Sequence, residues 1–157
     1  MRAPFCFLWI LLIITACSPS SELEGPFKVM RIIDGDTILI NTNEKIRLSG
    51  IDTPEKEECH FQESKSRLEE LILNKNIFLE RDYTNKGRYG RLLRYVHLKN
   101  TEINSLMVLE GYAQVYDKYA YDTKKYSHLK KLEITPRELK RGVWSCQETI
   151  ILTQQSL

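Results

Sequence analysis

Two tight reversals between Phe27 and Leu48 limit what this chain can become. Asp34-Gly35 and Asn41-Thr42-Asn43 are turn signals. The runs they separate, Phe27 to Ile33, Ile38 to Ile40 and Glu44 to Leu48, are rich in β-branched and apolar residues. Strands this short are not stable in isolation. They predict a three-strand meander that opens a β-rich domain.

The pattern downstream alternates in kind. Pro54 opens a loop crowded with charge from Glu55 to Glu58. A helix is expected over Phe61 to Leu73, because Phe61, Leu68, Leu71 and Ile72 share one face and Asn74 suits its end. Asn76 to Arg81 and Leu92 to Leu98 read as two more strands, joined by a polar loop from Asp82 to Gly90. A short helix over Asn104 to Glu110 is closed by Gly111, a residue suited to a left-handed cap. The last helix begins near Tyr126 and meets Pro136, where an interior proline costs about 3 kcal/mol. Thr135-Pro136-Arg137-Glu138 also has the form of a capping box with proline at the first helical position, so a break and restart near Pro136 is expected. Five short strands with a helix between the third and fourth is the order of an OB-type barrel. The expected architecture is α+β, a five-stranded barrel with three helical segments over residues 27–146, followed by a loose tail at 147–157.

Residues 1–16 are of another kind. After Arg2 an apolar stretch runs from Phe5 to Ala16, shorter than the roughly 20 residues a membrane-spanning helix needs. It ends in Ile14-Thr15-Ala16-Cys17, which resembles the lipobox of bacterial lipoproteins, in which the cysteine becomes a lipidated N-terminus after cleavage. The resemblance implies export, a polar linker over 17–26, and a membrane tether at Cys17. An ordinary cleaved signal is the alternative, leaving the protein secreted. Export leaves Cys59 and Cys146 in the mature domain, where an oxidising compartment invites one disulfide. Two unrelated buried thiols would also fit. With 23 basic and 21 acidic residues, net charge +2, global charge argues neither for nor against a polyanion, so phosphate binding must rest on local clusters. Lys124-Lys125 and Lys130-Lys131 read as solvated faces with some capacity to hold a polyanion.

Three segments carry the chemistry. Asp34-Gly35-Asp36 places acids around a turn. Arg47 is followed five residues later by Asp52, then by Thr53, Pro54 and Glu55. Arg88-Tyr89-Gly90-Arg91 offers a basic loop running into a strand. Hard divalent cations take oxygen ligands such as carboxylates, carbonyls and water. Arginine's planar fork suits phosphate oxygens, and phosphodiester cleavage needs charge neutralisation, a positioned water and a proton acceptor. Asp36, Asp52, Glu55, Arg47 and Arg91 contain that set. Taken singly, the acids fit a hairpin turn or a helix cap and the arginines fit solvated loop charges. Their joint order and spacing is what those readings leave unexplained.

In that order and spacing the segments resemble the staphylococcal nuclease (thermonuclease) family from Phe27 to Ser145. The resemblance implies a calcium-dependent nuclease acting on DNA or RNA, leaving 3′-phosphate ends and working as a monomer. It assigns Asp36 and Asp52 as calcium ligands through carboxylates and Thr53 through its backbone carbonyl. Glu55 would position or deprotonate the attacking water, and Arg47 and Arg91 would clamp the phosphate. Arg88, Tyr89 and Tyr119 match positions bordering the nucleotide, whereas Asp117 stands where the family has a tyrosine. The contrasting reading is a non-catalytic OB module that binds single-stranded nucleic acid.

Overall fold

A computed structural model describes residues 23–146. The expected signal segment 1–16, Cys17, the first part of the linker and the tail 147–157 lie outside the described residues. Leu23–Ile32 (β1), Thr37–Ile40 (β2) and Lys45–Leu48 (β3) form the expected meander, with β2 antiparallel to both neighbours. Ile51–Asp52 (β4) is a two-residue strand, followed by the helix Phe61–Ile72 (α1). Asn76–Lys86 (β5) and Leu92–Leu98 (β6) pair antiparallel. Thr101–Glu102 (β7) leads into the helix Ile103–Leu109 (α2), and Gln114–Val115 (β8) pairs with β4. After a 3-10 segment, Asp117–Asp122, the chain ends in the helix Tyr126–Glu138 (α3) and a second 3-10 turn, Gly142–Ser145.

The strand order β3-β2-β1-β5-β6 closes on itself because β3 also pairs, in parallel, with β6. This is the five-stranded barrel expected from the sequence, and closure leaves its strands no open edge. Alternate residues point inward along each strand: Ile38 and Ile40, Ile46 and Leu48, Ile77 and Leu79 are all buried. Helix α1 adds Leu68 and Ile72 to the same core, each worth about 1.5–3 kcal/mol when fully buried. Asn74 follows with φ 62, a left-handed conformation that asparagine tolerates better than most residues.

Three expectations are corrected. Strand β1 begins at Leu23, pairing with Glu80 of β5, so the last residues of the expected 17–26 linker belong to the barrel. Strand β5 continues to Lys86 across what reads as a polar loop. Backbone pairing with β6 past a bulge between Arg81 and Lys86 carries it on, and ladder hydrogen bonds do not depend on side-chain polarity. Helix α3 runs unbroken through Pro136. The proline sits in the final turn, where its missing N–H removes only one late bond, its ring is buried, and its carbonyl accepts the Arg141 N–H at 2.9 Å.

Covalent and ionic ties fix the outer elements. Cys59, just before α1, is bonded to Cys146 with Cα atoms 6.0 Å apart. A crosslink over a separation of 87 residues is worth about 4 kcal/mol in the chain-entropy model. The backbones of Gly111 and Gly142 pass so closely that a Cβ on Gly142 would stand 2.1 Å from the Gly111 carbonyl oxygen. Across the barrel, buried Glu80 accepts Lys124 Nζ at 2.7 Å and Lys125 Nζ at 2.6 Å, with His97 Nε2 at 3.1 Å. Lys125 also pairs with Glu102 and lies 4.6 Å from the Tyr95 ring centroid.

Burial alone would raise the Glu80 carboxyl, but hydrogen bonds from Lys124 and Lys125 outweigh it and bring the group from an ordinary 4.5 down to about 2. Folding therefore favours the ionised form. The stabilisation is full above the unfolded value and disappears as pH falls from about 4.5 toward about 2, an effect on the order of 3 kcal/mol. Glu80→Gln should flatten the acid limb of a urea-stability profile over that window. An acid limb as steep as that of the wild type would rule out the cluster as its source.

Candidate active site

The first acidic pair is shaped by its turn. Asp34 Oδ1 accepts the Asp36 N–H at 3.0 Å, an aspartate turn that aims Asp36 inward. The Asp36 carboxylate is buried, with partners on both oxygens. Oδ1 accepts the Thr37 hydroxyl at 3.0 Å and lies 3.0 Å from Arg47 Nε. Oδ2 accepts the Thr53 N–H at 3.2 Å and its hydroxyl at 3.1 Å. Gly35 makes room for this: a Cβ there would stand 2.8 Å from Thr53 Oγ1 and 3.0 Å from Ser64 Cβ.

Arg47 projects from β3 between the two acids. Its Nη2 binds Asp52 Oδ1 at 3.0 Å, while Nη1 donates to the carbonyls of Leu48 at 2.8 Å and Ile51 at 2.7 Å. The strands bearing the acids are not paired with each other, since β4 pairs with β8 and β2 with β1 and β3. It is the guanidinium that brings Asp36 and Asp52 together. Arg91 joins through a relay: its Nη1 donates to Thr37 Oγ1 at 3.0 Å, and that hydroxyl in turn donates to Asp36.

Both acids sit in negative surroundings. Burial pushes Asp36 up to about 6 against the pull of Arg47, with Asp34 and Asp52 adding to the rise. Asp52 is likewise raised, by burial first and then by Glu55 and Glu58, with Arg47 opposing. The group is short of positive charge. Its donors are all oxygens, and one guanidinium already reaches both carboxylates, so a hard divalent cation fits this donor set.

These residues open onto a cavity of about 420 Å³. Asp36, Arg47, Asp52, Thr53, Glu55 and Arg91 all line it, and so do Arg88, Tyr89 and Tyr119. Glu55 is exposed on the loop after β4. Its N–H donates to Glu58 Oε2 at 2.7 Å, and the Glu58 N–H returns to the Glu55 carbonyl at 2.9 Å. Tyr89 carries the Arg88 and Arg91 guanidiniums 6.0 and 5.9 Å from its ring centroid.

Asp34 of the acidic turn and Tyr116 also line the cavity, with Lys118, which sequence reasoning did not single out. Tyr116 sits at the edge of an irregular 3-10 segment that leaves no periodic signal, so only its aromatic character marks it. Asp117 is absent from the lining and accepts the Tyr126 hydroxyl at 2.9 Å. Tyr116 therefore supplies an aromatic ring beside the position that Asp117 vacates. Two further clusters near metal-ligand spacing are already committed. Cys59 and Cys146, beside His60, are spent in the disulfide, while Glu80 and Glu102 hold Lys125 and His97 pairs with Glu80.

Known proteins share this arrangement of sequence. The family described as "Staphylococcal nuclease homologue" matches residues 45–146. An uncharacterized endonuclease of Haemophilus influenzae is 38% identical over 117 residues, covering 72% of this chain and 65% of that protein, just under two thirds of its length. An uncharacterized endonuclease of Escherichia coli is 33% identical over 145 residues, covering 90% of this chain and 85% of its own. A thermonuclease of Staphylococcus hyicus is 32% identical over 136 residues, covering 80% and 79%.

The close approach at Gly35 gives a direct check on the acid cluster. Gly35→Ala forces Thr53 away from Asp36 and should cost about 1–3 kcal/mol, as overpacking does. Thr53→Val removes only the hydroxyl bond and should cost roughly 0.5–1.5 kcal/mol. Urea unfolding of both variants measures this, and an unchanged midpoint for Gly35→Ala would contradict the packing described.

Proposed function

The chain belongs to the staphylococcal nuclease homologue family, and from that membership and the geometry of the cleft we propose that it is a nuclease that hydrolyses phosphodiester bonds in DNA or RNA with calcium. The observation that carries the reading is the single cavity into which Asp36, Asp52, Glu55, Arg47 and Arg91 all open. A passive binding module has no need to gather acids around the arginines that would hold phosphate, because the acids weaken polyanion binding.

Asp36 and Asp52, with the Thr53 carbonyl, would hold the calcium ion. The ion, when bound, supplies positive charge against the phosphoryl oxygens and draws the substrate into place. Arg47 and Arg91 present fork-shaped donors to those oxygens and stabilise the charge that grows on them. Their own anchors, the Ile51 carbonyl and the Thr37 hydroxyl, keep the forks from swinging away. Glu55 stands on the exposed loop at the cavity edge and takes a proton from water. The water oxygen bonds to phosphorus as the bond from phosphorus to the 5′ oxygen breaks. The departing oxygen is protonated from solvent, and the products are a 3′-phosphate and a 5′-hydroxyl.

We further propose that the protein is an exported monomer tethered by lipid at Cys17. Among the described residues no helix is long and apolar enough to cross a membrane; the tether proposed is the lipid itself. Cys17→Ser should move the mature protein from the detergent phase to the aqueous phase in a phase-partition assay, because attachment needs the acyl chains. Equal partitioning of variant and wild type would sink the lipid assignment.

Single-turnover cleavage of a labelled oligonucleotide tests the reaction. Asp52→Ala should lower calcium affinity and cleavage together. Arg91→Ala should leave calcium binding nearly intact and lose about 10²–10³-fold in rate. Glu55→Gln should slow cleavage while sparing oligonucleotide binding. A wild-type protein that binds the oligonucleotide yet never cuts it at saturating calcium would hand the case to the binding module.

A further inference from the structure

Three tyrosine rings lead out of the cleft. Tyr116 and Tyr119 line the cavity, with ring centroids 5.7 Å apart and planes tilted by 55°. Tyr121 is not part of the lining. Its ring lies 6.5 Å from Tyr119 at 74°, and it is 83% exposed against 44% for Tyr119. The backbone explains the series. Tyr116 is the extended residue, φ −81 and ψ 96, that leads into the 3-10 turn carrying Tyr119. Tyr119 leaves the helical conformation, with φ −120 and ψ 38, and the chain bends so that Tyr121 meets it edge-on.

Exposing a tyrosine ring this fully wastes apolar area that folding usually hides. The surroundings identify what would cover it. Lys118 lies 5.8 Å from the Tyr119 ring centroid and itself lines the cavity, so positive charge follows the same path as the rings. A groove that tracks a phosphate backbone with cations while offering successive aromatic faces is the arrangement that holds single-stranded nucleic acid. A second protein would meet a ramp of charge and rings too narrow for a stable interface.

We propose that Tyr121 is a base-stacking subsite outside the catalytic cleft, taking the base of a nucleotide that flanks the one in the cavity. The inference rests on the nuclease reading, since it assumes that the strand enters the cleft, and it adds a contact beyond the cavity. Stacking does not read hydrogen-bond patterns, so the subsite adds affinity for strand length without adding sequence preference. A duplex, whose bases are stacked on each other, cannot use it without opening.

The test is equilibrium binding of fluorescent oligothymidylates of two and of eight nucleotides, measured with calcium in a Glu55→Gln background, where cutting is slowed and binding is spared. Base stacking worth about 1–3 kcal/mol corresponds to a loss of roughly 5- to 150-fold, expected for the eight-mer with Tyr121→Ala and absent for the dinucleotide. Tyr121→Trp should restore or tighten eight-mer binding, a rescue that a purely structural role would not show. Equal loss for both lengths would mean that the 117–122 segment has been disturbed and would overturn the subsite, as would eight-mer binding unchanged from the Glu55→Gln parent. Failure of the Glu55→Gln parent to bind either oligonucleotide with calcium present would instead strike at the nuclease reading itself.

Discussion

Arg47 carries a guanidinium that is only 13% exposed, with Asp36 and Asp52 on opposite sides and two backbone carbonyls along a third. Placing an acid where Asp36 lies, at 8% side-chain exposure, is unfavourable unless a cation and hydrogen bonds answer it. Arg47 answers it from β3, the strand whose parallel pairing with β6 closes the barrel, and Arg47 itself sits opposite Leu93 in that ladder. Closure of the barrel and assembly of the acid cluster are thus one event. A barrel that failed to close would leave the arginine without a fixed position and the acids without their counter-charge.

Much of this was legible in advance because it depends on local rules. Asp34-Gly35 and Asn41 to Asn43 announced their turns, the apolar face of Phe61 to Ile72 announced its helix, and the spacing from Arg47 to Glu55 marked the cluster. What was not legible depended on partners far along the chain. Leu23 belongs to β1 only because Glu80 lies opposite it, and no property of the residues near Leu23 reveals that. Asp82 to Lys86 look like a loop because strand pairing is a backbone matter that side-chain polarity hides. Pro136 reads as a break because its cost is assigned to a helix interior, whereas here the helix ends at Glu138. The meeting of Asp36 with Asp52 is made by the Arg47 side chain, whose two contacts are not visible as a local pattern.

Charge shows the same division. Lys124, Lys125 and Lys130 look from sequence like a basic face open to a polyanion, yet they are turned on Glu80, Glu102, Asp117 and Glu133. Surface lysines committed to acids contribute little to long-range attraction. Arg88, Arg91 and Lys118, by contrast, border the cavity beside its acids.

The bond between Cys59 and Cys146 sets an order of events. The loop carrying Glu55 is held at its near end by Thr53 on Asp36 and at its far end by this disulfide, with His60 Nε2 beside Ser145 Oγ at 3.1 Å. The far anchor lies 87 residues downstream, at the last of the described residues. A chain emerging from the ribosome or crossing a membrane can wind its barrel before residue 146 arrives, but the loop stays pinned at one end. The second pin also needs thiols to be oxidised, which reducing compartments prevent. Synthesis and compartment together act as a clock, and the loop that bears Glu55, the proposed proton acceptor, gains its second anchor only after residue 146 has arrived.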